Sequence, residues 1–267
     1  FVRLAGDLPS IQKSFFRNIV SVFFALILLL KDRKDISLQP KDLPYLFMRS
    51  IFGTLGILCN FYAVDHLLLS DANMLNKLSP FFAILCSYFL LKEKIKPFQF
   101  FGIVVAFVGA LLIIKPGFSL GDSILPSLLG VFGGMSAGIA YTYVRCLGQR
   151  GVKGPFIVFF FSAFSCLVTL PFLIFDYHAM SLSQLGILLL AGLAASGGQF
   201  AITAAYTHAP AREISIYDYS QIIFSALFGF FFFQQVPDIW SILGYILICG
   251  ISVVMFLYNN RKAQSAS

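Results

Sequence analysis

The sequence predicts an all-α integral membrane protein: ten helices in two inverted repeats of five, with most of the first helix absent from this chain. Three observations carry that prediction. Of the 267 residues, 58% are hydrophobic and only 12% are charged, with a mean hydropathy of +0.86. Soluble domains hold about 25% charged residues. Apolar runs long enough to cross a bilayer recur along the chain. The chain also resembles itself when shifted by 142 residues.

A span needs about 20 apolar residues. Such runs lie at 14–30, 43–66, 71–91, 98–115, 125–145, 155–175, 183–206, 213–234 and 239–258. Short connections with turn residues separate them, among them "KDRKDISLQPK", "KPGFSLGD" and "GQRGVKGP". The 32 phenylalanines suit a lipid-facing surface. In such a chain the net charge of +7 reports topology rather than nucleic-acid binding. Lys31, Arg33, Lys34 and Lys41, then Lys92, Lys94 and Lys96, then Arg145, Arg150 and Lys153, then Arg212, Arg261 and Lys262 all fall on one side. The opposite loops near 67–70, 176–182 and 236–238 hold no Lys or Arg. The basic side is therefore expected in the cytoplasm of a multi-pass cell (inner) membrane protein, with the C-terminus cytoplasmic and residues 1–10 on the far face. Cys59, Cys86, Cys146, Cys166 and Cys249 lie in apolar segments without pairing or C-x-x-C spacing, so neither a disulfide framework nor a zinc site is expected.

Under the 142-residue shift, "FVRLAG" at 1–6 falls on "YVRCLG" at 143–148. Ala63 meets Ala205, His66 meets His208, Asp71 meets Glu213 and Gly102 meets Gly244. The constant register is the signal, because each match alone is weak. "YVRCLG" closes a helix that begins near 125, so "FVRLAG" is expected to close one that mostly precedes residue 1. Residues 1–117 then form the first repeat and 118–267 the second. Five spans per repeat force the second copy to insert upside down, the arrangement of many secondary transporters.

Polar residues inside the spans are the candidate functional groups. Asn73, Asn76, Lys77 and Pro80 fall at i, i+3, i+4 and i+7, on one helical face that lipid would not tolerate. Tyr217, Asp218, Gln221 and Ser225 form a similar stripe, and the repeat shift carries Asn76 onto Asp218. The two stripes are expected to face each other. Lys77 should lie about 9 Å inside the outer end of its span. Asn60 shares a face with Gly53 and Gly56, and Gln199 shares one with Thr203. Tyr62, Tyr141 and the Tyr217/Tyr219 pair offer aromatic walls with hydroxyl tips. Arg17 and Arg49 read as interface anchors near helix ends. Gly130, Gly134 and Gly138, and likewise Gly197, Ala201 and Ala205, read as packing seams. Pro80 should kink its helix and free backbone groups near Lys77.

Two stretches resemble the drug/metabolite transporter superfamily, of the EamA-like kind. They are "FYAVDHLLLSDANMLNKLSPFFAILCSYFLLKEKIKPFQFFGIVVAFVGALLIIKP" and "AAYTHAPAREISIYDYSQIIFSALFGFFFFQQVPDIWSILGYILICG". "LSPFFAILCSYFLLKEK" is similar to the family's proline-bearing helix with its short Leu-x-Glu ending, and Gln235 stands where the second repeat often carries the counterpart of Glu93. The resemblance implies ten helices around a central cavity, with both termini cytoplasmic.

The expected function is secondary transport of a small polar metabolite, an amino acid or a nucleotide- or S-adenosyl-type compound, by alternating access. Lys77 would bind an anionic group. Asp218 would bind an amine or carry a coupling proton, a counter-substrate being the other candidate partner. No cofactor, metal or nucleic acid is expected; the partners are the small-molecule substrate and membrane lipid. An enzyme acting on a lipid-linked substrate is the first rival. His66, His178 and His208 form no cluster, and neither H-E-x-x-H nor G-x-S-x-G occurs. A channel is the second rival, but it would need a continuous polar lining.

Overall fold

The computed structural model describes residues 1–31, 39–92, 95, 97–114, 124–209, 214 and 220–264, with Ser220 and residues 259–264 described by backbone alone. The described residues form helices and no strands. In order these are α1 (Ser10–Lys31), α2 (Leu43–His66, after a 3-10 turn at Pro40–Asp42), α3 (Leu69–Asn76), α4 (Ser79–Leu90) and α5 (Pro97–Ile114). There follow α6 (Ile124–Gln149), α7 (Gly154–Phe175), α8 (Leu182–His208), α9 (Ser220–Phe233) and α10 (Ile239–Gln264). Seven of these helices are long and apolar enough to cross a membrane. The protein is a multi-pass membrane protein. The expected span at 71–91 is two helices with a break at Lys77–Leu78, and the one at 213–234 is described as a helix only from Ser220. The expected repeat boundary at 117/118 lies outside the described residues.

The chain divides into two compact units. The first comprises Phe1–Phe61 and Ala140–Ala209. In it α1 packs on α7 and α8, and α7 on α8. Ser14, Asn18, Ser21 and Ala25 recur on one buried face of α1 at helical spacing. Asn18 Nδ2 donates to Ser165 Oγ at 2.8 Å, and the hydroxyls of Ser21 and Ser196 meet at 2.9 Å. Such bonds hold helices together where lipid tails are as apolar as the side chains. Outside the spans, Arg150 reaches Asp42 at 3.1 Å and lies over the Tyr45 ring at 4.3 Å. That hydrogen bond to Asp42 raises the Arg150 guanidinium above the usual arginine range.

The second unit comprises Tyr62–Ile139 and Pro210–Ser267. Its core gathers Met74, Leu75, Leu78 and Phe81 with Ile103, Ala106, Ala110, Ile222, Ile248 and Met255. Close approach of α5 and α10 depends on Gly109 and Gly244: a Cβ on Gly244 would lie 2.6 Å from the Gly109 carbonyl oxygen. The chain leaves α4 and α9 through left-handed residues, Lys92 at φ 54° and Gln234 at φ 53°.

The broken helix rests on the glycine seam of α6. A Cβ on Gly134 would lie 2.7 Å from the Leu75 carbonyl oxygen, and one on Gly138 would lie 2.4 Å from that of Ser79. The seam expected at Gly197, Ala201 and Ala205 does not form. Gly197 and Ala201 are exposed, and a Cβ on Gly197 meets nothing within 4 Å. The buried face of α8 runs instead through Gly192, Ser196, Gln199, Thr203 and Tyr206, the last four because their polar groups demand burial. Gly134→Ala and Gly138→Ala should each destabilise the protein by about 1–3 kcal/mol through overpacking. Gly197→Ala should not lower the detergent-solubilised Tm; a comparable fall in all three would refute the seam assignment.

Candidate functional site

In the second unit the polar face of the broken helix is buried. Two features end α3 at Asn76. Pro80 has no N–H to offer the Asn76 carbonyl, and the backbone tightens into i→i−3 bonds. The Lys77 amide donates to the carbonyls of Asn73 and Met74, both at 3.0 Å, and Leu78 donates to Leu75 at 3.2 Å. Pro80 then starts α4, where a missing N–H costs nothing. Lys77 sits at the break and is only 6% exposed. Asn73 is buried, Asn76 half-buried. Asn73 Nδ2 donates to Leu69 O at 2.8 Å, and its Oδ1 accepts from Gln221 Nε2 of α9 at 3.5 Å. This joins residues from both predicted stripes. Tyr217 and Asp218 lie outside the described residues. Tyr62 turns its ring onto His66, the centroids 4.1 Å apart. Gln235 Oε1 accepts from the Leu69 amide at 2.9 Å, capping the start of α3.

Asp71 completes this face. It is 7% exposed, and Tyr245 of α10 donates its hydroxyl to Asp71 Oδ1. The sequence reading gave Asp71 no site role, since its phenol partner is 174 residues away.

The first unit holds Asn60, Tyr141 and Gln199. Asn60 Oδ1 is buried without a hydrogen-bond partner. The Tyr141 ring stacks on Tyr206, centroids 4.5 Å apart and planes 16° from parallel. Gln199 is buried, and its Nε2 donates to Thr203 Oγ1 at 3.2 Å.

Arg17 and Arg49 are not interface anchors as expected. Arg49 is 2% exposed, its guanidinium 4.1 Å from the centre of the Phe161 ring, and its Nε has no hydrogen-bond partner. Arg17 is half-buried and donates to Asn18 Oδ1 at 2.9 Å. Gly53 makes room for Arg49: a Cβ there would lie 2.0 Å from Nη1. Arg49 and Gly53 stand at i and i+4, which was the available sequence signal.

The EamA-like transporter family model matches residues 1–115 and 125–257. The chain belongs to the EamA-like transporter family. Among curated proteins, this EamA-like chain is 34% identical over 245 residues to the pseudopaline exporter CntI of Pseudomonas aeruginosa, covering 91% of this chain and 85% of that one. It is 28% identical over 256 residues to an uncharacterized transporter of Helicobacter pylori, covering 93% and 86%. It is 26% identical over 267 residues to human solute carrier family 35 member G1, covering 95% and 73%. A solved crystal structure shares the fold with a TM-score of 0.70 at 17% identity, over 95% of this chain and 90% of that one. The EamA-like chain is thus a transporter and not an enzyme, in the membrane environment that its small-molecule cargo must cross.

Because Tyr245 hydrogen-bonds a carboxyl group, Tyr245→Phe should destabilise the protein by about 1.5–3 kcal/mol. With Asp71→Asn the losses should be non-additive in a double-mutant cycle of denaturant unfolding. Simple additivity would show that the pair does not couple.

Proposed function

We propose that this protein is a secondary transporter of a small polar organic metabolite, an amino acid or a nucleotide- or S-adenosyl-type compound, working by alternating access in the cell membrane with its C-terminus in the cytoplasm. The observation that carries the reading is the buried Lys77 at the break between α3 and α4. Transporters of known mechanism bind cargo at interrupted helices of this kind. A buried cation is costly, and in a membrane span it marks a functional position. Exporter and carrier relatives support the same class of activity.

The ten-helix, two-repeat plan underlies the mechanism. Several contacts support it. The 142-residue shift carries α1 onto α7, α2 onto α8 and α5 onto α10. It carries Lys92 onto Gln234, both left-handed. A Cβ on Gly102 would meet Met255 and Ile251; shifted, these become Ile113 and Gly109, the residues that a Cβ on Gly244 would meet. Reciprocity of this kind is what a two-fold relation between the repeats would produce.

In this reading Lys77 receives an anionic group of the cargo, while Asn73, Asn76 and Gln221 supply hydrogen bonds. Asp218 and Tyr217 complete the face, the carboxylate taking an amine or a coupling proton. Asn60, Tyr62, Tyr141 and Gln199 are the remaining cargo contacts. The first readout is the thermal shift of purified protein against amino acids, nucleotides and S-adenosyl compounds, because a ligand of the folded state raises Tm. A cargo should stabilise the wild type, and Lys77→Ala and Asp218→Asn should each lose most of that shift. Equal shifts in all three proteins would remove both residues from the site. In proteoliposomes the Lys77→Ala variant should lose roughly tenfold or more of the flux, the scale of one charge-assisted hydrogen bond.

A further inference from the structure

One face of α2 leaves hydrogen-bonding groups unmet at both of its ends. Arg49, Gly53, Gly56 and Asn60 fall at i, i+4, i+7 and i+11, a single stripe on a continuous helix. All four belong to the first unit. Arg49 is almost wholly buried, and its Nε has no hydrogen-bond partner. No hydrogen bond or ion pair joins the rest of its guanidinium to a described residue. The Phe161 ring lies 4.1 Å from the guanidinium carbon. A ring face attracts the charge, yet it leaves the N–H donors in the guanidinium plane without acceptors. A helix face serving only packing would carry an apolar side chain of similar volume at position 49. The fork is aimed along the stripe, because Nη1 lies 2.0 Å from where a Cβ on Gly53 would stand, one turn nearer Asn60. At the far end Asn60 Oδ1 is a buried acceptor without a donor. Gly56 keeps the centre of the face between them clear of side chain. From Gly53 to Asn60 the helix rises about 10 Å. Two hydrogen bonds of about 2.8 Å each leave roughly 5 Å between them.

We infer that this stripe is a two-ended binding site for a short organic anion, with Arg49 taking an oxyanion group and Asn60 Oδ1 accepting from an ammonium, amide or hydroxyl donor at the other end. A carboxylate or phosphoryl group supplies the paired acceptors that the guanidinium fork lacks. Gly53 is part of the site, because a larger residue there evicts the fork. The binding claim stands on α2 and the Phe161 ring; only the role of the bound molecule as cargo rests on the transporter reading.

The test titrates the purified full chain with γ-aminobutyrate, which carries a carboxylate and an ammonium at about the right separation. Butyrate lacks the donor, butylamine lacks the oxyanion, and glycine holds both groups too close together. Aminopropyl phosphate replaces the carboxylate by a phosphoryl group and tells which oxyanion is preferred. Thermal shifts at matched ionic strength give apparent affinities. Wild type should bind γ-aminobutyrate or aminopropyl phosphate more tightly than butyrate or glycine, and butylamine least. Arg49→Gln should weaken binding of the oxyanion probes about tenfold or more. Arg49→Lys should recover only part, keeping the charge without the fork. Asn60→Ala should abolish the advantage of γ-aminobutyrate over butyrate while butyrate still binds. Arg150→Gln removes a cation of the same unit outside the spans and should keep the wild-type affinity. If Arg49→Gln fails to fold, Arg49→Lys and Asn60→Ala carry the test. The inference is overturned if wild type binds neither oxyanion probe, if γ-aminobutyrate and butyrate bind equally, or if Arg150→Gln loses as much as Arg49→Gln. Counterflow in proteoliposomes keeps the two readings apart. Flux of some other solute, with no binding of the oxyanion probes, removes this site and leaves transport standing. Binding with the expected variant pattern, but no flux of any solute class, leaves the site and removes transport.

Discussion

Inside a bilayer, every polar group the chain carries must be satisfied by the protein itself. That constraint explains why the buried face of α1 is lined with serines and an asparagine rather than leucines, and why those residues bond to α7 and α8. It also explains the placement of glycine. Where α3 stops and its last carbonyls lose their helical partners, α6 offers Gly134 and Gly138, so that backbone meets backbone at short range. The interruption at Lys77 is thus a supported structure.

The same constraint separates two kinds of buried charge. Asp71 has a donor in Tyr245. Arg49 has an aromatic face and an unpartnered Nε. The first arrangement resembles a satisfied network, which rigidifies. The second leaves a buried guanidinium nitrogen without a hydrogen-bond partner. Both lie in apolar surroundings where electrostatic interactions are strong, so the difference between a partner present and a partner lacking is large.

Much of the architecture was legible because hydropathy and length constrain spans directly. The runs at 14–30, 43–66, 155–175 and 183–206 became α1, α2, α7 and α8 with ends shifted by a few residues. The glycine run of α6 was read as a seam, and so it is. Pro80 announced a disturbance near Lys77, although the full break also needed the tightened turn at Lys77 and Leu78. Reading small residues at 197, 201 and 205 as a second seam failed because spacing alone does not say which face is buried. Arg17 and Arg49 were misjudged for a related reason. Nearness to a helix end suggested anchoring, but for Arg49 a deciding fact, the Phe161 ring more than 100 residues along the chain, is tertiary. The Asp71–Tyr245 bond could not be foreseen, since nothing local in either segment points to the other.

Lys92 and Gln234 hold left-handed backbone 142 residues apart, without the freedom that glycine would bring. An L side chain in that region costs roughly 1–2 kcal/mol. Each of the two residues therefore carries a small backbone strain. Glycine at both positions would relieve it and yield a hardier preparation for crystallisation or cryo-microscopy, with every other side chain left as evolution set it.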